Sequence, residues 1–269
     1  MIVLFHLGAL ALYVFAALSL GASLARGSRT YPSRATRASA AGAVLHALGL
    51  ATYAAWAGAL PLAGLGPVLS SLALLIAAGS TIVATTRRAP LGLVLIPLAA
   101  ALTGTALLVG ITPAVGVETE RGADFTLHVA LAVGAYAGLA VAFAAGLMYL
   151  LQFRELKSKR FGAVYRFFPP LDTLDRLAGG ALWFGMAALT LALGLGWTYS
   201  VRVGAAEPRN PEVIWGVLTW IVFAAALLAR GAGARRGYAT ALACVLGFVV
   251  VVFAYLLLRL QLPGRGAFL

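Results

Sequence analysis

The chain has 269 residues, of which 62% are apolar and 10% charged, with a mean hydropathy of +0.97 and a formal net charge of +12. Soluble domains carry about 25% charged residues, so this composition excludes an ordinary soluble domain and reads as a polytopic membrane protein. One cysteine, Cys244 in an apolar run, excludes an internal disulfide and a cysteine-based zinc site, and reads as a small core hydrophobe.

Eight apolar segments follow one another, at roughly 2–25, 38–60, 67–86, 90–112, 125–152, 177–200, 213–229 and 237–258. An unpaired backbone group in hydrocarbon costs several kcal/mol, and no alternating barrel pattern is present, so helices are expected. The expected fold is all-α: one transmembrane domain, 1–269, built as a bundle of about eight spans. The first segment has no Lys or Arg ahead of it, unlike a signal peptide, and reads as a retained helix.

Charge orients the spans. Fifteen of the 20 Lys and Arg fall on loops of one side, among them Arg26, Arg34, Arg37, Arg87, Arg154, Lys157, Arg166, Arg176 and Arg230. The other side holds Arg121, Arg202, Arg209, Arg259 and Arg265. Under the positive-inside rule the first side is cytoplasmic and both termini lie outside, as in a multi-pass protein of a bacterial inner membrane. The basic excess therefore faces anionic lipid headgroups, which explain it better than nucleic acid. In the cytoplasmic stretch Arg154–Arg176, Pro169 and Pro170 precede LDTLDRL, where Asp172 or Thr173 can cap a helix. The basic stretch Phe153–Phe168 is expected to lie on the membrane surface, with docking of a cytoplasmic partner as the sharper alternative.

Small residues recur within the segments. Gly134 and Gly138 form a GxxxG, Gly42 and Gly49 flank His46, and Gly179, Gly180, Gly185, Gly194 and Gly196 crowd the sixth segment. Close helix packing explains them in lipid. The alternative is room for a flat cofactor beside the histidines.

All three histidines lie within apolar segments, where an imidazole is costly. His6 and His128 sit near the outer ends of the first and fifth segments, and His46 lies deeper in the second. Structural hydrogen bonding and metal ligation both account for such a residue. A zinc site would need three or four converging ligands, whereas iron in a porphyrin needs one or two imidazoles in a dry slot. If a haem near the outer face takes two axial imidazoles, His6 is the histidine at the level of His128 and would be the second ligand. The acids Glu118, Glu120, Asp124, Glu207 and Glu212 fall at the outer rim, so paired-carboxylate catalysis is unsupported, and no phosphate loop, nucleophile elbow or HExxH motif is present. Trp197, Tyr199, Trp215 and Trp220 gather towards the outer ends of the sixth and seventh segments, where interfacial aromatic belts are ordinary.

Several stretches taken together resemble the haem-handling membrane proteins of the cytochrome c assembly family, the CcsA/HemX/YpjD group. LHVALAVGAYAGLAVAFAAGLMYLLQFRELKSK is similar to the family's histidine-bearing segment, with Tyr136 eight residues after His128. PLDTLDRLAGGALWFGMAALTLALGLGW resembles the segment that follows it, and LHALGL resembles the family's short element around His46. The resemblance implies haem b as cofactor, His128 as an external iron ligand and His46 as an intramembrane one. It further implies that Asn210 to Trp215, with Thr219 and Trp220, correspond to a Trp-rich haem-facing signature. The chain departs from that signature at Arg209, Asn210 and Val213, carries Leu228 where the family has a histidine, and has no histidine near its C-terminus. These departures bring it nearer the HemX/YpjD branch.

The metal-ligand candidates are thus His128, His46 and His6, and the cofactor-contact candidates add Trp197, Trp215, Trp220 and Tyr136. The expected function is haem binding or transport in cytochrome c maturation or haem biosynthesis, with no bond-changing catalysis, a maturation or haem-synthesis protein as partner, and self-association as an option. A non-haem scaffold recruiting a cytoplasmic partner through 153–176 is the alternative. A metal-free transporter is disfavoured by the lack of buried charge and of broken-helix repeats.

Overall fold

The computed structural model describes residues 1–27, 32–86, 90–112, 122–159, 162–202, 204, 211–231 and 236–261. The described residues form helices and no strands. In chain order these are α1 (Ile2–Ala25), α2 (Ser33–Ala57), α3 (Leu65–Thr86), α4 (Gly92–Val109), α5 (Ala123–Lys157), α6 (Ala163–Phe167), α7 (Leu171–Arg202), α8 (Pro211–Gly231) and α9 (Arg236–Gln261). All but α6 are long and apolar enough to cross a bilayer. Each expected span is therefore a helix, and the all-α multi-pass architecture is established. Among the residues singled out from the sequence, Arg87, Glu118, Glu120, Arg121, Glu207, Arg209, Asn210 and Arg265 lie outside the described residues.

The helices group into two compact units. The N-terminal unit comprises Met1–Thr119 and Met148–Leu174, and the C-terminal unit Glu120–Leu147 and Asp175–Leu269. In the N-terminal unit α1 packs on α2 and α4, while α3 packs on α4 and α2. Ile2, His6, Ala9, Tyr13, Ala16 and Leu20 form the buried stripe of α1, recurring at three- and four-residue steps as one helix face requires. Helix α2 stops at Gly58, whose left-handed backbone (φ 65°) lets its N–H donate to the Ala54 carbonyl. Where α3 begins and α4 ends the backbones nearly touch, and a Cβ on Gly66 would run into the Gly110 carbonyl.

Within 153–168 the described residues are tied to one another by hydrogen bonds. Helix α5 runs on to Lys157, and the Glu155 carboxylate then accepts from the backbone N–H groups of Gly162 and Tyr165 at 3.0 and 2.9 Å, holding the start of α6. The Arg166 guanidinium lies over Gly27, where a side chain would collide with it. The helix expected after the prolines begins at Leu171, and the Pro170 carbonyl accepts from the N–H groups of Thr173 and Leu174. Asp172 thus sits inside the first turn, where its charge favours the helix N-terminus.

In the C-terminal unit, Ala135, Leu139 and Ala142 of α5 meet Leu182, Met186 and Leu189 of α7, Phe223 and Ala226 of α8, and Cys244 and Val251 of α9. Cys244 is fully buried, as its apolar surroundings suggested. A side chain on Gly138 would meet Phe184 and the Ala181 carbonyl, and one on Gly185 would meet Leu139, so these glycines let α5 and α7 approach closely. Near the start of α7, Asp175 and Arg230 of α8 form a two-pronged ion pair at 2.8 and 3.1 Å, with the guanidinium seated on Gly179.

Candidate functional site

The three histidines fall into two different environments. His6 on α1 and His46 on α2 are both fully buried, and their ring centroids are 4.8 Å apart, edge to face. The depth difference expected from the sequence is therefore absent, because α2 places His46 beside His6. Every ring nitrogen of the pair has a partner. His6 Nδ1 lies 2.7 Å from the Ile2 carbonyl oxygen, and its Nε2 lies 2.9 Å from Ser70 Oγ on α3. His46 Nε2 lies 2.7 Å from the same Ser70 Oγ, and its Nδ1 accepts from the Tyr13 hydroxyl at 3.3 Å. Two glycines that could have left room for a flat cofactor are occupied by the chain's own rings. A Cβ on Gly49 would come within 2.6 Å of the His6 ring, and one on Gly42 within 2.8 Å of the Tyr13 ring. Iron ligation at either histidine would therefore require surrendering hydrogen bonds already made.

His128 on α5 belongs to the C-terminal unit and is half-buried. Its Nδ1 lies 2.7 Å from the Ala192 carbonyl oxygen of α7. A carbonyl oxygen can only accept, so Nδ1 carries the hydrogen, and in the neutral imidazole the lone pair is on Nε2. The ring lies against Gly196, where a Cβ would come within 2.6 Å of Cε1. This is how proteins orient a metal-binding imidazole: the far nitrogen is tied to a backbone acceptor and the near one is presented to the metal. The donor chemistry of His128 fits haem iron. That of His6 and His46, with all four nitrogens engaged, does not in this arrangement.

The aromatic candidates divide as well. Trp215 stacks on Tyr136 with centroids 4.8 Å apart and donates its indole N–H to the Val251 carbonyl, so both rings are packing groups between helices. The Tyr136 hydroxyl is in turn paired with Thr219. Trp220 is 37% exposed and donates its indole N–H to Thr190 Oγ1 at 3.0 Å. At 100° per residue, Trp183, Thr190 and Trp197 share one face of α7, whereas Ala192 and Gly196, which hold His128, lie on another. Trp197 and Trp220 are thus not brought to the His128 side of α7. Tyr199 packs near Phe125, with centroids 5.7 Å apart, at the end of α5 where Asp124 pairs with Arg202. Leu228 is 76% exposed, and nothing about its position stands in for a ligand.

Ser70 and Tyr13 were missed in the sequence. Tyr13 was legible in principle, since it follows His6 by seven residues and shares its helix face. Ser70 was not, because a serine in an apolar span is ordinary and its role depends on how α3 meets α1 and α2. Among the described residues no group of three or more His, Cys, Asp or Glu converges as a metal cluster.

These features define a multi-pass helical membrane protein with a hydrogen-bonded histidine pair in one unit and an oriented, half-exposed imidazole in the other. The sequence profile of the family described as "Cytochrome C assembly protein" matches residues 3–264, and the chain belongs to that family. It is 30% identical over 156 residues to a cytochrome c biogenesis protein CcsA of Guillardia theta, covering 52% of this chain and 51% of that one. It is 35% identical over 140 residues to an uncharacterized 28.8 kDa protein of Azospirillum brasilense, covering 51% and 49%. A CcsA of Chlamydomonas reinhardtii is 28% identical over 141 residues, covering 52% and 38%. The chain spans about half the length, or less, of these relatives.

Proposed function

We propose that this protein binds haem through His128 and hands it on within cytochrome c maturation, without itself making or breaking covalent bonds. The observation that carries this reading is the His128–Ala192 hydrogen bond, which fixes the tautomer and leaves Nε2 as an oriented donor beside a bare glycine backbone. Family membership supplies the connection to cytochrome c assembly. Haem would supply the iron that Nε2 ligates. The chain's own contribution is to orient that imidazole, to keep its other nitrogen occupied, and to surround it with apolar helix surface. In this reading His128 faces outward across a bacterial inner membrane, the basic loops face the cytoplasm, and the chain acts in the manner of the shorter HemX/YpjD-type proteins.

The test is copurification from haem-replete cells. Wild-type protein should carry a Soret band, and His128→Gly should lose it and regain it when free imidazole is added. A colourless wild type, or a His128→Gly variant as coloured as the wild type, contradicts the reading.

A scaffolding role has one observation in its favour: Glu155 ties Gly162 and Tyr165 to the end of α5 and Arg166 lies over Gly27, which gives the described part of a basic segment a defined shape. In that case a colourless protein would capture a haem-pathway partner through this segment. Replacing Arg154, Lys157 and Arg166 together would abolish the capture.

A further inference from the structure

Two ion pairs join helices within the C-terminal unit, and they are built differently. Asp175 and Arg230 are mostly buried, share two hydrogen bonds, and have the guanidinium seated on Gly179. Asp124, in the first turn of α5, pairs with Arg202, in the last turn of α7, and these side chains are 43% and 61% exposed. The first pair is a fixed clamp. A pair as wet as the second adds little to stability, because water competes for both charges. Its guanidinium can change partners at small cost.

The position of the second pair gives that exchange a use. Asp124 precedes His128 by four residues, so the two share a face of α5 about 6 Å apart along its axis. On α7, Arg202 lies about 9 Å beyond Gly196, the residue against which the His128 ring rests. Between these levels Phe125 packs near Tyr199. Both helices are long and apolar enough to span. The seam between α5 and α7 thus carries an imidazole within the apolar segment, then an aromatic pair, then a guanidinium at the polar edge.

We propose that Arg202 is the carboxylate-recognising residue of the His128 site and that Asp124 is its built-in competitor. The proposal rests on the reading of His128 as a haem ligand and adds what holds the far end of the same molecule. A porphyrin with two carboxylate arms must keep those arms out of hydrocarbon while its ring lies against apolar helices. Arg202 offers a planar fork that matches a carboxylate. Without ligand, Asp124 holds this fork at the end of the seam. With ligand, Arg202 passes from one carboxylate to another, and Asp124 returns to water. Asp124 therefore limits how tightly the cargo is held, as a protein that hands it on requires.

The test compares haem with haem dimethyl ester, in which both carboxylates are masked. Each is titrated by Soret absorbance into full-length protein in phosphatidylcholine nanodiscs. Arg202→Gln should weaken haem binding about tenfold, as expected for one lost charge-assisted contact. Asp124→Asn should tighten it about threefold by freeing Arg202. Neither variant should change the affinity for the ester. Arg202→Lys should recover part of the loss, since it keeps the charge and lacks the fork. A merely structural pair predicts otherwise: either variant breaks it, so both would weaken binding, of haem and ester alike. Should Arg202→Gln not assemble, Asp124→Asn must still show the gain for haem and none for the ester. Equal effects on haem and ester, or weaker haem binding in Asp124→Asn, overturn the assignment and leave His128 ligation standing. A wild type that binds neither compound overturns both.

Discussion

The two histidine environments differ in what they leave undone. In the N-terminal unit His6 and His46 spend all four ring nitrogens on one another's neighbours, and glycines at positions 49 and 42 let the rings of His6 and Tyr13 fill the space between α1 and α2. In the C-terminal unit His128 spends one nitrogen on a backbone carbonyl and keeps the other. Both devices solve the problem of an imidazole in lipid, where an unpaired polar atom is expensive. The first yields a closed, rigid cluster and the second a ligand held ready.

That contrast can be broken by mutation. The largest expected effect is His46→Ala, which opens a cavity, orphans the Tyr13 hydroxyl and takes one of two hydrogen bonds from Ser70, all at fully buried positions. It should cost about 3 to 4 kcal/mol of stability, seen as a lower midpoint in detergent unfolding, whereas His128→Ala should cost about 1 kcal/mol. Asp175→Ala comes next. Arg230 would lose its two-pronged partner at a site about three-quarters buried, for a loss of about 1 to 3 kcal/mol. Asp175→Glu together with Arg230→Lys should recover only part of it. Gly196→Ala should push the His128 ring off the Ala192 carbonyl and weaken haem retention about tenfold, with a small change in stability. The smallest effect is at Gln152, whose buried Oε1 has no partner among the described residues. Gln152→Leu should be neutral or stabilising by about 1 kcal/mol, since it removes an unsatisfied acceptor. A large destabilisation there would reveal a partner for that oxygen.

Much of the fold was legible because membrane spans announce themselves by composition alone. The run from Ile2 to Ala25 can be little else than a spanning helix, and eight such runs gave eight long helices. The short α6 was not legible. It depends on Glu155 reaching forward to two backbone N–H groups, and five residues carry no periodic signal. The candidate site was legible as residue types and not as groupings. His128 could be singled out because it stands in a recognisable segment, but the acceptor that orients it is a backbone carbonyl, which has no signature in sequence. His6 and His46 were set at different depths because span ends were judged from the apolar runs, and α2 begins at Ser33, five residues before the apolar run itself. Trp197 was grouped with the histidines by its level in the membrane, and Trp220 by its place in the Trp-rich signature that the resemblance implied. Helix rotation, which neither signal reports, puts Trp197 and Thr190, the partner of Trp220, on a different face of α7 from Ala192 and Gly196, which hold His128.

In the function proposed above, haem is held by the imidazole with a nitrogen to spare and not by the pair without one. That function is tested most directly by the Soret absorbance of protein purified from haem-replete cells as wild type, His128→Ala and His46→Gln. The account predicts a band in the wild type, its loss in His128→Ala, and its retention in folded His46→Gln. A band that survives His128→Ala, or that vanishes with His46→Gln while the protein remains folded, would contradict it.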